Sequence, residues 1–229
     1  MIGAKNVVLD GSKAPAVSSG LSPWCFSHLR RSLDIVFSIV LIVATLLFMV
    51  VAALFIKWTS GGPVLFRQER LGKDGIPFQL LKFRTMEHRP LGEGSGLTRR
   101  GDPRVTAVGR FLRKWKIDEL PQLFNVLRGD MSLVGPRPDL PQYLQALCGD
   151  QRLVLLLVPG ITGAASLQFR NEELLLAQVA PEQLEGFYIH TLLPQKIELD
   201  LNYAREASLL GDLAILLRTA AGCVRPEGA

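Results

Sequence analysis

"IVFSIVLIVATLLFMVVAALFI", residues 35–56, runs for 22 residues without a charge. At about 1.5 Å per residue such a helix reaches about 33 Å, and the hydrocarbon core of a bilayer is about 30 Å thick. A helix buried in a globular core keeps a polar edge, which this run lacks. A secretory signal would be shorter, start earlier and end at small residues. The run therefore predicts a membrane helix. It also accounts for a hydrophobic content of 48% in a chain of 229 residues, long enough for one ordinary domain plus an attachment.

The flanks set the organisation. Arg30 and Arg31 precede the run and Lys57 follows it, so the nearest charges give no clear orientation. The larger basic excess lies downstream, which predicts a cytoplasmic body at residues 58–222 following a membrane helix at 28–57. Asp34 stands three residues after Arg31, close enough on a helix to pair at the interface. Residues 1–27, with Gly, Ser and Pro and no periodicity, read mostly as a mobile tail, and 223–229 as a second tail.

Beyond the helix, "PVLFRQERLGKDGIPFQLLKFRTM" (63–86) has two strand-forming runs around the turn pair Asp74-Gly75, the pattern of a β-hairpin. From Lys82 to Lys116 there are ten Lys or Arg against three acidic residues, within a net charge of +5. Most charge runs are solvated faces. Beside a membrane, such a run also suits anionic headgroups or a diphosphate. No nucleic acid is expected as a partner: no recognition motif is present, and 7% aromatic residues leave few stacking platforms. Three scattered Cys and three scattered His give neither a disulfide framework nor a zinc pattern.

"RVTAVGRFLRKW" (104–115) repeats Val105, Val108, Leu112 and Trp115 on one helical face, with Arg104, Arg110, Arg113 and Lys114 on the other. This is an amphipathic helix, either interfacial or packed on the core. "WKIDELPQLFNVL" (115–127) then sets Asp118 beside Glu119. As local structure, Asp118 is an N-cap, Glu119 a first-turn acid, and Leu120, Leu123, Phe124 and Leu127 a buried stripe that Gly129 terminates. As chemistry, a carboxylate held anionic among cations is a nucleophile or a ligand for Mg²⁺. In "GPRP" (135–138), Pro136 and Pro138 fix the backbone on either side of Arg137, a rigid mount for a phosphate or planar partner, or simply a surface turn.

In combination these blocks resemble one family. "RRSLD", "PVLFRQERLGKDGIPFQLLKFRTM", "VGRFLRKWKIDELPQLFNVLRGDMSLVGPRP", "VPGITG" and "KIELDLNY" occur in the order seen in bacterial sugar transferases of the small monotopic phosphoglycosyl transferase family, over roughly residues 29–219. The resemblance implies an α+β, mainly helical fold: an N-terminal membrane-embedded re-entrant helix, a small hairpin and interfacial amphipathic helices around a compact catalytic domain. It implies transfer of a phosphosugar from a UDP-sugar to undecaprenyl phosphate with release of UMP, at the cytoplasmic face of the inner membrane. Asp118 matches the family nucleophile and Mg²⁺ ligand, and Glu119 its partner. Lys82, Arg84, Arg113, Arg137, Pro136 and Pro138 match substrate-binding positions.

One feature departs from the family. Where many members break the hydrophobic helix with Ser-Pro, this chain has Leu46-Leu47. Re-entrance is favoured by the retained Arg30, Arg31 and Asp34, and a straight span is the alternative. The competing function is a non-catalytic membrane-anchored protein that binds lipid phosphate or sugar nucleotide.

"VPGITGAASLQFRNEE" (158–173) predicts a turn and short strand, with Arg170 either reaching substrate or, in preference, pairing with Glu172 or Glu173. Residues 192–220 predict two helices separated near Gly211.

Overall fold

The computed structural model describes residues 20–87 and 97–224. The expected tails fall largely outside these residues, and so does His88. Helix α1 spans His28–Thr59, capped by the Ser27 hydroxyl accepting from Arg30 N. Strands β1 (Leu65–Leu71) and β2 (Pro77–Phe83) form the expected antiparallel hairpin, with Leu65 opposite Phe83 and Leu71 opposite Pro77. Its turn passes through Asp74 at φ 59°, a left-handed conformation that Asp tolerates.

Helices α2 (Ala107–Lys114) and α3 (Gln122–Arg128) follow, joined by a tight turn at Ile117–Glu119. Strand β3 (Ser132–Val134) pairs in parallel with β4 (Gly160–Thr162), with α4 (Pro141–Leu144) between them. The remainder is helical: α5 (Ala164–Gln168), α6 (Glu172–Ala177), α7 (Leu184–Phe187), α8 (Leu193–Glu206) and α9 (Leu209–Val224). The described chain is mainly helical with small sheets and one long apolar helix near its start.

Several expectations are corrected. Helix α1 continues without interruption through Leu46-Leu47, so its backbone contains no turn-back. Asp118 is not an N-cap. Pro121 has no N–H, so the preceding turn closes on short bonds, Glu119 N to Lys116 O and Leu120 N to Ile117 O, both 3.2 Å, and α3 proper begins at Gln122. The α3 stripe is also rotated from the one predicted. Phe124 is exposed, while Asn125 is wholly buried because its side chain anchors α3 to the hairpin. Its Oδ1 accepts from Leu81 N at 3.0 Å and its Nδ2 donates to Gln79 O at 2.8 Å. A polar side chain meeting free strand groups outcompetes an apolar one there. Gly129 terminates α3 at φ 97°, as predicted.

At the C-terminal end the break falls at Ala207, whose ψ of 137° is extended, not at Gly211. Arg170 donates to Gly222 O at 2.7 Å, while Glu172 and Glu173 pair with Lys196 and Arg113. Residues 20–27, within the stretch read as tail, hold a 3-10 turn, and Ser22 N donates to Ala204 O at 2.9 Å.

Among the described residues the body has three apolar clusters. One lies around Tyr143, Tyr188 and Leu193, a second joins β2, α3 and β3, and a third sets Phe83 and Leu112 against Met49, Ala52 and Ile56 of α1. Helix α2 docks through Gly109, where an added Cβ would lie 2.0 Å from Thr85 O. A backbone carbonyl cannot swing aside as a side-chain tip can. Gly109→Ala is therefore expected to cost about 3 kcal/mol, read as a lower melting temperature of the detergent-solubilised protein.

Candidate active site

Two backbone segments bring the site together. The first is the turn between α2 and α3. Lys116 adopts φ 56°, a left-handed conformation uncommon outside glycine, and the chain reverses there. Asp118 and Glu119 follow at once. The second is the loop after β3, where Gly135 N donates to Thr162 O and Gly160 N donates to Pro136 O, both at 2.8 Å. These bonds fix the base of the loop that carries Pro136, Arg137 and Pro138.

Glu119 is the meeting point. Its Oε1 accepts from Arg137 Nη2 at 2.8 Å and from Lys82 Nζ at 3.2 Å. The two cations come from sequence positions 37 residues before it and 18 residues after it. Burial alone would push the Glu119 carboxyl up, but Arg137, Lys82 and Lys116 together hold it well below the ordinary range. Arg137 is raised in turn by the same carboxylate. Lys82 is lowered, first by burial, with Glu119 opposing.

Asp118 behaves differently. It is 6% exposed, and its Oδ1 is buried without a hydrogen-bond partner. Burial and then the adjacent Glu119 charge push its carboxyl above the ordinary range, against Lys82, Lys116 and Arg113. The sequence suggests cations stabilising Asp118 directly, but they bond to Glu119 instead. The result is a side-by-side pair with opposite shifts: one carboxylate neutralised by partners, the other desolvated and free at one oxygen. Such a divergence marks functional sites more often than structural ones.

The other predicted residues divide. Arg113 is close enough to act on Asp118 electrostatically, and its own bonds go to Thr85 Oγ1 at 3.0 Å and Glu173 Oε1 at 3.1 Å. Arg84 is not part of the cluster. It is buried, and its guanidinium donates to Ser60 O at 2.9 Å and Gly61 O at 2.7 Å, where it holds the C-terminal end of α1. Arg70 was not predicted as a site residue, yet its Nη1 donates to Pro138 O at 3.2 Å and lies 3.9 Å from Asp139 Oδ1. Behind it, Tyr188 donates to Asp139 at 2.7 Å and Lys196 donates to Tyr188 at 3.0 Å. No spacing rule links residues so far apart in sequence.

A narrow cleft runs behind the Pro-Arg-Pro loop and is lined partly by Arg137, Asp139, Lys196 and Asp200. Burial pushes the Asp200 carboxyl up to about 7. The cleft borders Arg137 but not Asp118, so it is a neighbour of the acidic pair and not its container.

A family model described as bacterial sugar transferase matches residues 26–226. Among curated proteins, a UDP-glucose:undecaprenyl-phosphate glucose-1-phosphate transferase of Caulobacter vibrioides is 42% identical over 203 residues, covering 87% of this chain and 71% of that protein. An undecaprenyl-phosphate galactose phosphotransferase of Salmonella typhimurium is 35% identical over 229 residues, 93% of this chain and 44% of its own length. A UDP-glucose:undecaprenyl-phosphate glucose-1-phosphate transferase of Escherichia coli is 39% identical over 196 residues, 83% and 39% respectively. The chain thus spans less than half the length of the last two relatives.

Proposed function

The chain belongs to the bacterial sugar transferase family, and from that premise we propose that it transfers a sugar phosphate from a UDP-sugar to undecaprenyl phosphate. The product is an undecaprenyl-diphosphate sugar, the first membrane-bound intermediate of a polysaccharide or glycoconjugate. The observation that carries this reading is the pairing of an unpartnered, buried Asp118 oxygen with a Glu119 that gathers Lys82 and Arg137.

The reaction divides into two displacements. An Asp118 carboxylate oxygen attacks the β-phosphorus of the UDP-sugar. The bond from that phosphorus to the bridging oxygen breaks, UMP leaves with the electron pair, and the sugar phosphate is held on Asp118 as an acyl phosphate. An oxygen of undecaprenyl phosphate then attacks the same phosphorus and frees the carboxylate. Lys82 and Arg137 stand where they can transfer from Glu119 to phosphate oxygens, and Pro136 and Pro138 keep Arg137 in place. Desolvation suits the attacking group, since an anion stripped of water is a stronger nucleophile.

Mg²⁺ fits this donor set. Among the described residues no cluster of three or more His, Cys, Asp or Glu could hold a metal, but Asp118 offers a free buried oxygen. Mg²⁺ commonly binds through one or two carboxylates, with water and substrate phosphates completing its shell. Held there, it would neutralise phosphate charge. Anchoring of α1 in the inner membrane, with the body on the cytoplasmic face, completes the proposal. It is supported by the apolar length of α1 and the basic surface beside it.

The test is UMP release by the purified full chain from a panel of UDP-sugars with Mg²⁺ and undecaprenyl phosphate. Absence of lipid-dependent UMP release across the panel would refute the activity. Arg84 supplies a sharper check on the site. Because it holds the end of α1, Arg84→Gln is expected to cost about 2 kcal/mol of stability, from lost bonds to a charged group. Its KM for the sugar nucleotide should stay within about twofold of wild type, whereas Arg137→Gln should raise KM by about tenfold or more.

A further inference from the structure

The backbone on either side of Arg137 is tied down by different parts of the fold. Before it, Pro136 O accepts from Gly160 N at 2.8 Å, so β4 holds that end. After it, Pro138 O accepts from Arg70 Nη1 at 3.2 Å and Asp139 O accepts from Leu71 N at 3.4 Å, so the end of β1 holds the other. Arg70 is steadied in turn, because its Nη2 donates to Gln68 Oε1 at 2.6 Å. The two prolines restrict φ, but the place of the loop in space is set by these bonds.

Behind the clamp a line of polar side chains runs into the helical body. Asp139 is 8% exposed, Tyr188 1% and Lys196 4%. The displacement proposed at Asp118 uses none of them. Asp139 Oδ1 accepts from the Tyr188 hydroxyl at 2.7 Å, that hydroxyl accepts from Lys196 Nζ at 3.0 Å, and Lys196 Nζ also donates to Glu172 Oε2 at 3.1 Å. The direction of each bond is fixed by chemistry. An ammonium only donates and a carboxylate only accepts, so the Tyr188 proton points at Asp139. Charges alternate along the line: Arg70 lies 3.9 Å from Asp139, and Lys196 pairs with Glu172. Buried polar groups joined in this way rigidify the parts of the fold they link. Here they link α8 and α6 to the residue two places after Arg137. The same groups also bear on Arg137 electrostatically: Glu119 first, then Glu172 and Asp139, favour its charged form against burial.

We propose that Arg70, Asp139, Tyr188 and Lys196 are positioning residues for Arg137: the line from α8 through Tyr188 to Asp139 sets where the Pro-Arg-Pro loop stands, and with it the reach of Arg137 toward Glu119 and toward a phosphate. This rests on the reading of Arg137 as a phosphate contact given above. Tyr188 is the joint, since its one hydroxyl carries both the bond to the loop and the bond to α8.

The experiment is a double-mutant cycle read by titration calorimetry, with UMP added to the detergent-solubilised full chain as wild type, Tyr188→Phe, Arg137→Gln and the double variant. Phenylalanine keeps the ring and every charge and removes only the joint. If Tyr188 acts through Arg137, Tyr188→Phe weakens UMP binding about fivefold in the wild-type background, and less than about 1.5-fold once Arg137 is glutamine. Equal losses in both backgrounds, or a lowered melting temperature with an unchanged Kd for UMP, would overturn the positioning role in favour of plain structural support. Arg70→Lys runs the same cycle from the other end of the line and serves if Tyr188→Phe does not fold. Lysine keeps the charge but lacks the fork that serves Pro138 O while facing Asp139, and the same dependence on Arg137 is expected. Additive losses there would equally overturn the role. UMP binding needs neither lipid nor turnover, so the two readings fail separately. Additive losses in a protein that shows lipid-dependent UMP release would overturn the positioning role and leave the activity standing. Non-additive losses in a protein without such release would support the positioning role while refuting the activity. No measurable binding of UMP to wild type would overturn the positioning role together with the phosphate contact of Arg137.

Discussion

Asp118→Asn is expected to lower kcat/KM by at least about 10³-fold and at the same time to raise the melting temperature at neutral pH. Loss of activity follows from the proposed chemistry, since an amide cannot form the acyl phosphate. The gain in stability follows from burial. The folded-state Asp118 carboxyl is pushed above its ordinary value, by desolvation first and by Glu119 second. For a group raised in this way the protonated form is favoured by folding. Its contribution is fully present below the unfolded pKa and is lost as pH rises through the folded one. Above that folded-state value burial of the carboxylate is unfavourable, and asparagine, which cannot ionise, removes the penalty. The advantage of the variant should shrink as pH falls into the carboxylate range. Mg²⁺ should restore the balance by stabilising wild type, but not the variant, in a thermal melt. Equal melting temperatures at every pH, or retained turnover, would count against a desolvated nucleophile at this position.

The legibility of this site in the sequence was uneven, for physical reasons. Periodicity and turn chemistry are local, so the apolar helix, the Asp74-Gly75 hairpin, α2 and the Gly129 stop were all readable. Asp118 and Glu119 could be singled out because they are adjacent. Their division of labour could not be read, because it depends on Lys82 from β2 and Arg137 from the loop after β3 arriving at a single oxygen. Arg84 shows how a bonding partner outside the strand escapes a local reading. It lies two residues from Lys82, the alternation of a strand puts them on one face, and yet Arg84 falls just past the end of β2 and turns to the backbone at Ser60. The burial of Asn125 in place of Phe124 was hidden for a related reason. A polar residue inside an apolar helix reads as exposed unless the unpaired strand groups it meets are known.

Glu119→Gln separates a positioning role from proton handling. The carboxylate is the common counter-charge of Lys82 and Arg137, so glutamine would leave two cations facing one another across a neutral oxygen. The cost is expected to be about 2–3 kcal/mol, below the value for a fully buried pair because Arg137 is partly open to solvent, or about 5–10 °C in melting temperature. The pH dependence has the opposite sign to that of Asp118. Glu119 is held well below the ordinary range, its burial outweighed by Arg137, Lys82 and Lys116. Its stabilisation is present above the unfolded pKa and disappears as pH falls through the folded one, so wild type and variant should converge in acid. A phosphate-bearing ligand supplies the missing negative charge. UMP should therefore raise the melting temperature of Glu119→Gln more than that of wild type, because its phosphate takes the place of the lost carboxylate between the two cations. If Glu119 served only as a proton acceptor, the variant would lose kcat, keep wild-type stability and show the wild-type response to UMP. That combination would refute the counter-charge role.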